Sequence, residues 1–194
     1  MSMIAVRTFI CIELSGDVRK KLAELQSTLR QTRANIAWVK PENMHLTLKF
    51  LGNVEQSKLG AVSAAVERAL KDQARFSLKV SGMGSFPNNK RPRVLWVGIE
   101  GDKQMLSTIQ RRIEDELVSE GFPKEDRPFS PHLTLGRVKS NENIKACIDK
   151  MNELSIDSEP FEIAEVIVMR SDLNPGGAVY SRLNTISLNV MRNA

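Results

Sequence analysis

NMHLTLKF (Asn43–Phe50) and SPHLTLGR (Ser130–Arg137) share the tetrapeptide His-Leu-Thr-Leu, and the only two histidines of the chain, His45 and His132, both stand in it. At ordinary composition a given histidine is followed by Leu-Thr-Leu on the order of once in 10³ cases, so two such coincidences point to a duplicated unit. In a strand, successive side chains alternate between faces. His45 and Thr47 therefore share one face while Leu46 and Leu48 point into a core, and the same holds for His132 and Thr134 against Leu133 and Leu135. Each copy presents one imidazole beside one hydroxyl on an apolar backing.

The rest of the chain supplies the frame for these two strands. Arg7 to Leu14 (RTFICIEL) predicts a first strand, and Ser15 caps a helix carrying Val18, Leu22, Leu25 and Leu29 at helical spacing through about Arg33. Ile36 to Val39 is a short strand stopped by Pro41, and the first motif strand is expected to end at Gly52. A second helix covers Ser57 to Lys71. Two strands follow, Phe76 to Phe86 and Val94 to Glu100, around the basic loop PNNKRPR, and a third helix runs from Lys103 to Glu120 and stops at Gly121. After the second motif come a helix over Glu142 to Leu154 and two long strands, Phe161 to Leu173 and Ala178 to Val190, joined across Asn174-Pro175-Gly176-Gly177.

Strands come in groups between helices, which predicts antiparallel sheets rather than a doubly wound parallel one. The expected fold is α+β and bilobal: two pseudo-symmetric halves of antiparallel sheet with outer helices, a groove between them, and one HLTL strand in each. No linker or composition shift divides the 194 residues, so residues 1–194 are expected to form a single domain.

Composition bounds the function only loosely. The chain has 28 Lys+Arg against 23 Asp+Glu, a formal net charge of +5, which favours an anionic partner. Cys11 and Cys147 form no CxxC pair, which fits a reduced, cytoplasmic protein. Arg7 interrupts the N-terminal apolar run, and no apolar run approaches the roughly 18 residues of a membrane span, so no membrane partner is expected.

Two imidazoles facing one another suit one task well, the supply of a general base and a general acid at once. With ordinary pKa values near 6.5, one can be neutral while the other is protonated at neutral pH. With a phosphodiester between them, the neutral one takes a proton from an attacking water and the protonated one gives a proton to the departing oxygen. Thr47 and Thr134 can donate to the non-bridging oxygens, where the transition state gathers charge. The scheme needs neither metal nor cofactor. A metal site fits poorly, because the neighbours of both histidines at strand spacing are Thr, Lys and Gly. No G-x-S-x-G elbow supports a serine hydrolase.

The duplicated H-x-T-x resembles that of the 2H phosphoesterase superfamily, and more closely its RNA 2′,3′-cyclic phosphodiesterase branch, also called 2′-5′ RNA ligase. The likeness extends over RTFICIEL, HLTLKFLG, FPNNKRPRVLWVGI, FSPHLTLGRV and LNPGGAVYSRL, in family order from Arg7 to Leu183. It implies hydrolysis of RNA 2′,3′-cyclic phosphate ends, tRNA fragments among them, to 2′-phosphates, with a reversible 2′-5′ joining activity beside it, by a monomeric enzyme. It also implies that His45 is the proton donor and His132 the proton acceptor, an order the residues alone leave open. Thr47, Thr134 and Arg137 match substrate-contacting positions. Strict alternation puts Arg137 on the face opposite His132, so its part requires a bulge or bend at Gly136.

Several residues keep two readings. Lys49 lines the groove or is a solvated lysine. Phe9 and Tyr180 resemble positions near the substrate base or are core aromatics, and Lys90 to Arg93 guides RNA backbone or is a solvated turn. Two other functions stay open: a 2H phosphoesterase for small cyclic nucleotides or 2′-5′ oligoadenylate, and a non-catalytic protein that binds RNA ends.

Overall fold

The computed structural model describes residues 4–190; residues 1–3 and 191–194 of the expected domain lie outside it. In chain order the elements are β1 (Ala5–Glu13), α1 (Gly16–Arg30), β2 (Ile36–Trp38), a 3₁₀ turn (Pro41–Asn43), β3 (His45–Glu55), a second 3₁₀ turn (Gln56–Lys58), α2 (Leu59–Ala69), β4 (Phe76–Phe86) and β5 (Val94–Gly101). Then come α3 (Lys103–Ser119), β6 (His132–Val138), α4 (Ile144–Glu153), β7 (Phe161–Ile163), β8 (Glu165–Asn174) and β9 (Gly177–Ser187). The helices form where the apolar spacing requires them. Ser15 accepts a hydrogen bond from the Val18 N–H to start α1, and Val18, Leu22, Leu25 and Leu29 form its buried stripe. On α3 the stripe is Leu106, Ile109, Ile113 and Leu117, all fully buried.

The strands make two antiparallel sheets, one in the order β3-β1-β8-β9 and one in the order β2-β6-β5-β4-β7. The chain begins in the first sheet, visits the second for β2, returns for β3, builds most of the second through β7, and finishes in the first with β8 and β9. Each sheet thus carries one motif strand, as the duplication requires, but each also recruits strands from both ends of the chain. The apolar backs of both sheets and all four helices contribute to one core cluster.

Two strand boundaries differ from the periodicity reading. Phe161 to Leu173 is not one strand: its first three residues pair with β4 in the second sheet, and from Glu165 the chain runs beside β1 in the first. An apolar run cannot reveal which partner it pairs with, so this change of sheet at Ala164 leaves no mark in composition. Nor does β3 stop at Gly52. The glycine takes φ of +72°, a left-handed conformation that favours glycine, and pairing resumes through Glu55.

Each motif strand carries a bulge at the second leucine of its HLTL. Along β3, Thr47 pairs with Cys11 and Lys49 with Ile10, so Leu48 is skipped. Along β6, Thr134 pairs with Trp96 and Gly136 with Leu95, so Leu135 is skipped. An extra residue reverses the alternation beyond it. Lys49 is therefore turned inward rather than into the groove, and is only 7% exposed. Its ammonium donates to Glu114 Oε2 at 2.5 Å and to the Pro123 carbonyl at 2.8 Å. Gln110 and the Glu125 N–H complete the shell around the same carboxylate. This buried pair ties β3 to α3 and to the segment that leads towards the second motif.

Breaking such a pair leaves an uncompensated charge in the core. Glu114→Ala is expected to cost about 3–5 kcal/mol in urea unfolding, and the double change Lys49→Met with Glu114→Leu to cost clearly less than the single one. A double variant no more stable than Glu114→Ala would show that packing, not charge, governs this site.

Candidate active site

His45 opens β3 and His132 opens β6, and the two imidazoles are anchored in the same way. His45 Nδ1 lies 2.8 Å from the Asn43 carbonyl, and His132 Nδ1 lies 2.7 Å from the Ser130 carbonyl, in each case two residues back. A carbonyl only accepts, so each Nδ1 carries its hydrogen and donates it. The Nε2 of each neutral ring is then the free lone pair, and that of each imidazolium a free donor. Backbone geometry alone thus gives both histidines one tautomer and one orientation.

Directly opposed strand residues share a face, which allows the two walls to be assigned residue by residue. On the first sheet, Glu13 stands opposite His45, Cys11 opposite Thr47 and Phe9 opposite Phe50. On the second, Gly98 stands opposite His132, Trp96 opposite Thr134 and Val94 opposite Arg137. His132, Thr134 and Arg137 therefore lie on one face. A bulge does bring Arg137 round, as its expected part requires, but the skipped residue is Leu135, not Gly136. Gly136 serves a different purpose, since a Cβ there would run into Ile36 and the Ala37 carbonyl of the neighbouring strand β2.

The histidines differ in their surroundings. His45 is stacked on Phe9, with ring centroids 4.6 Å apart, and meets Tyr180 edge-on at 5.3 Å. Phe9, Cys11, Ile167 and Met169 form a small apolar cluster beneath, with Tyr180 packed against it. His132 instead meets Phe86 edge-on at 4.9 Å, and Phe86 lies in turn against Trp96 at 5.3 Å. Phe9 and Tyr180 thus pack directly against the His45 imidazole. Phe86, Trp96 and Glu13 were not marked by the sequence pattern, because only strand register brings them beside the motifs.

Burial pushes the His45 pKa below its ordinary 6.5, opposed by the hydrogen bond to Asn43 and by the negative charge of Glu13. Glu13 is itself held by Arg182, at 2.5 Å, and approached by Arg19 at 3.5 Å, while Arg182 also reaches Glu165 at 3.1 Å. A cavity of about 360 Å³ opens beside His45, with Glu13, Tyr180 and Arg182 in its walls. Below it, burial and Glu13 push the Cys11 thiol up to about 12, so it stays protonated. The Tyr180 hydroxyl is raised by burial, with Arg7 and Arg137 both opposing. Arg137 belongs to the second wall and Tyr180 to the first, so the two faces look onto a common space.

Thr47 is exposed and Thr134 half-buried. Among the described residues no three of His, Cys, Asp and Glu gather as a metal cage would need. Both cysteines are free and buried. Among the described residues no helix is long and apolar enough to cross a membrane. Lys90 to Arg93 lies in the β4–β5 connection, where the Asn88 side chain accepts from the Lys90 and Arg91 N–H groups and shapes the turn.

A motif strand in each of two antiparallel sheets, with imidazole and hydroxyl on one face, is the arrangement of a two-histidine phosphoesterase. The LigT-like phosphoesterase family matches the chain twice, over residues 12–96 and 97–180, one motif in each match. The chain belongs to that family. It is 34% identical to the RNA 2′,3′-cyclic phosphodiesterase of Methanothermobacter thermautotrophicus, over 94% of this chain and 99% of the relative. It is 35% identical to the protein of the same name from Thermotoga maritima, over 92% and 93%. A crystal structure of a Thermus thermophilus protein superposes with a TM-score of 0.77 at 29% identity, covering 96% of this chain and 100% of that one.

Because the chain has only two histidines, their titration can be followed ring by ring in NMR. His45 is expected to titrate below 6.5, and Glu13→Gln, which removes the one opposing carboxylate, to move it lower still. An unchanged His45 midpoint in Glu13→Gln would show that Arg182 and Arg19 already cancel the Glu13 charge.

Proposed function

We propose that this protein hydrolyses 2′,3′-cyclic phosphodiester ends of RNA to 2′-phosphomonoesters, by acid–base catalysis between His45 and His132. The observation that carries this reading is the matched anchoring of the two imidazoles, each with Nδ1 tied to a backbone carbonyl and Nε2 left for chemistry. The names of the relatives that span nearly the whole chain support the substrate class.

The reaction balances with water as the only co-reactant. Neutral His132 accepts a proton at Nε2 from a water as its oxygen attacks phosphorus. The bond from phosphorus to O3′ breaks, and the His45 imidazolium gives its Nε2 proton to that oxygen, leaving a 3′-hydroxyl and a 2′-phosphate. Thr47 and Thr134 donate to the non-bridging oxygens from opposite walls, and the Arg137 guanidinium on the second wall balances their charge. After turnover His45 is neutral and His132 protonated, and exchange with solvent resets the pair. With a 5′-hydroxyl in place of water as the attacking group, the same steps join two ends through a 2′-5′ linkage, and run backwards they cleave that linkage and restore the cyclic phosphate.

The assignment of donor and acceptor follows the family resemblance, and the environment of His45 makes it testable. Burial disfavours the imidazolium that a donor needs, so the Asn43 carbonyl, Glu13 and the bound phosphate must together favour it. In His132→Ala, any residual turnover then depends on His45 being protonated. It should fall as pH rises through the lowered His45 value. The opposite slope in that variant would exchange the two roles.

The direct test uses an oligoribonucleotide ending in a 2′,3′-cyclic phosphate, in EDTA. Conversion to the 2′-phosphate is expected, and His45→Ala and His132→Ala should each lower kcat by about 10²–10⁴ without loss of fold. No conversion, or conversion only to a 3′-phosphate, would overturn the reading. A protein that binds RNA ends without turnover would bind the cyclic end and leave it intact.

A further inference from the structure

The first wall carries a pair of side chains that the reaction above does not use. β1 pairs with β8 without a register break from Thr8 to Cys11, so Arg7, Phe9, Cys11 and Glu13 alternate onto the groove face. The bulge at Leu48 brings Phe50 onto the same face, opposite Phe9. Phe50 occupies the place in its motif that Arg137 occupies in the other, three residues beyond the threonine. An aromatic ring has no need to be outside, yet Phe50 is 51% exposed. The Arg7 guanidinium lies over it, 4.5 Å from the ring centroid.

Arg7 has no carboxylate or hydrogen-bond partner among the described residues, while Arg19, Arg68, Arg75, Arg127, Arg170 and Arg182 are each paired with Asp or Glu. Its charge nonetheless reaches the Tyr180 hydroxyl, which Arg137 also reaches from the second wall. Arg7 lies on the face of β1 that also carries Phe9 and Cys11, the wall of the first motif. It stands four residues along β1 from Cys11, the partner of Thr47, which is roughly 13 Å of strand. Its place along β1, beyond Phe9 from the Thr47 pair, puts it past the first-motif threonine, on the side where a neighbouring phosphate of the strand would lie. A free guanidinium over an exposed aromatic face is the combination that holds single-stranded nucleic acid, one group taking the phosphate and the other a base.

We infer that Arg7 and Phe50 form a second nucleotide subsite, in which Arg7 binds the internucleotide phosphate preceding the RNA end and Phe50 stacks on the base of the preceding nucleotide. This rests on the proposed function, and it makes the substrate class oligoribonucleotide ends rather than mononucleotides. Lone cyclic nucleotides would reach the motif pair but leave this platform empty.

Equilibrium binding of the products tests it independently of turnover. The probes are adenosine 2′-phosphate and the diadenosine dinucleotide ending in a 2′-phosphate, with a second dinucleotide whose internucleotide linkage is an uncharged methylphosphonate. The dinucleotide is expected to bind at least about tenfold more tightly than the mononucleotide. Arg7→Gln should abolish most of that ratio and reduce the salt slope of dinucleotide binding by about 0.7, the value for one phosphate contact to a single strand. The methylphosphonate should do the same to the intact protein and add nothing in Arg7→Gln. Phe50→Ala should lower the ratio and keep the salt slope. Equal affinities for mononucleotide and dinucleotide in the intact protein, or a ratio unchanged by Arg7→Gln, would overturn the subsite. Turnover of the matching cyclic phosphates, measured alongside, reports on the proposed reaction: failure there with the binding ratio intact rejects catalysis and keeps the subsite.

Discussion

Everything at the site follows from the burial of four leucines. Leu46, Leu48, Leu133 and Leu135 are at most 3% exposed, and each of them belongs to the core that the sheets share with the helices. Burying side chains of this size stabilises the fold by about 1.5–3 kcal/mol apiece, more than any hydrogen bond the intervening histidine or threonine could make with solvent. Strand alternation then leaves the imidazole and hydroxyl no choice of face. The imidazoles and hydroxyls are placed by what their neighbours must avoid, and the carbonyls of Asn43 and Ser130 supply the last increment of orientation.

The same constraint explains how far the sequence could be followed. Alternation within His-Leu-Thr-Leu is a local pattern, so His45, Thr47, His132 and Thr134 could be placed on their faces from the chain alone. Antiparallel sheets and outer helices were legible for the same reason, since periodicity reports local geometry. The bulges were not. That Leu48 and Leu135 are skipped is a matter of register against the partner strands β1 and β5, which the motif read alone does not display. Lys49 accordingly looked like a groove residue by parity and is a core ion pair. Arg137 looked displaced and is on the site face. Glu13, Phe86 and Trp96 became visible only through pairing, and the change of sheet after Ile163 only through topology.

Duplication makes the two halves alike in backbone and leaves them free to differ in what surrounds it. Both motifs open their strands with an anchored histidine and both bulge at the second leucine, so the chemistry of positioning is shared. The position after the bulge then diverges: Lys49 and Phe50 in one, Gly136 and Arg137 in the other. Glycine lets β2 pack tightly against β6, and arginine faces the site. Lysine is drawn inward by Glu114, and phenylalanine is left outward beneath the Arg7 guanidinium. Each wall ends with one guanidinium near Tyr180, supplied by the motif strand on one side and by β1 on the other.

The two motif imidazoles are alike in their anchoring and unequal in their surroundings. Here the inequality is built from aromatic packing. Phe9 covers one face of His45 and Tyr180 closes its edge, which removes water and penalises charge, while Glu13 returns part of the loss from the adjacent strand. Among the described residues His132 has a single ring contact, with Phe86, and its strand partner is Gly98 rather than a carboxylate. A monoanionic diester brought against a desolvated imidazole acts through less screening than the same charge in water. An anion held beside His45 would therefore raise its proton affinity against the burial that lowers it.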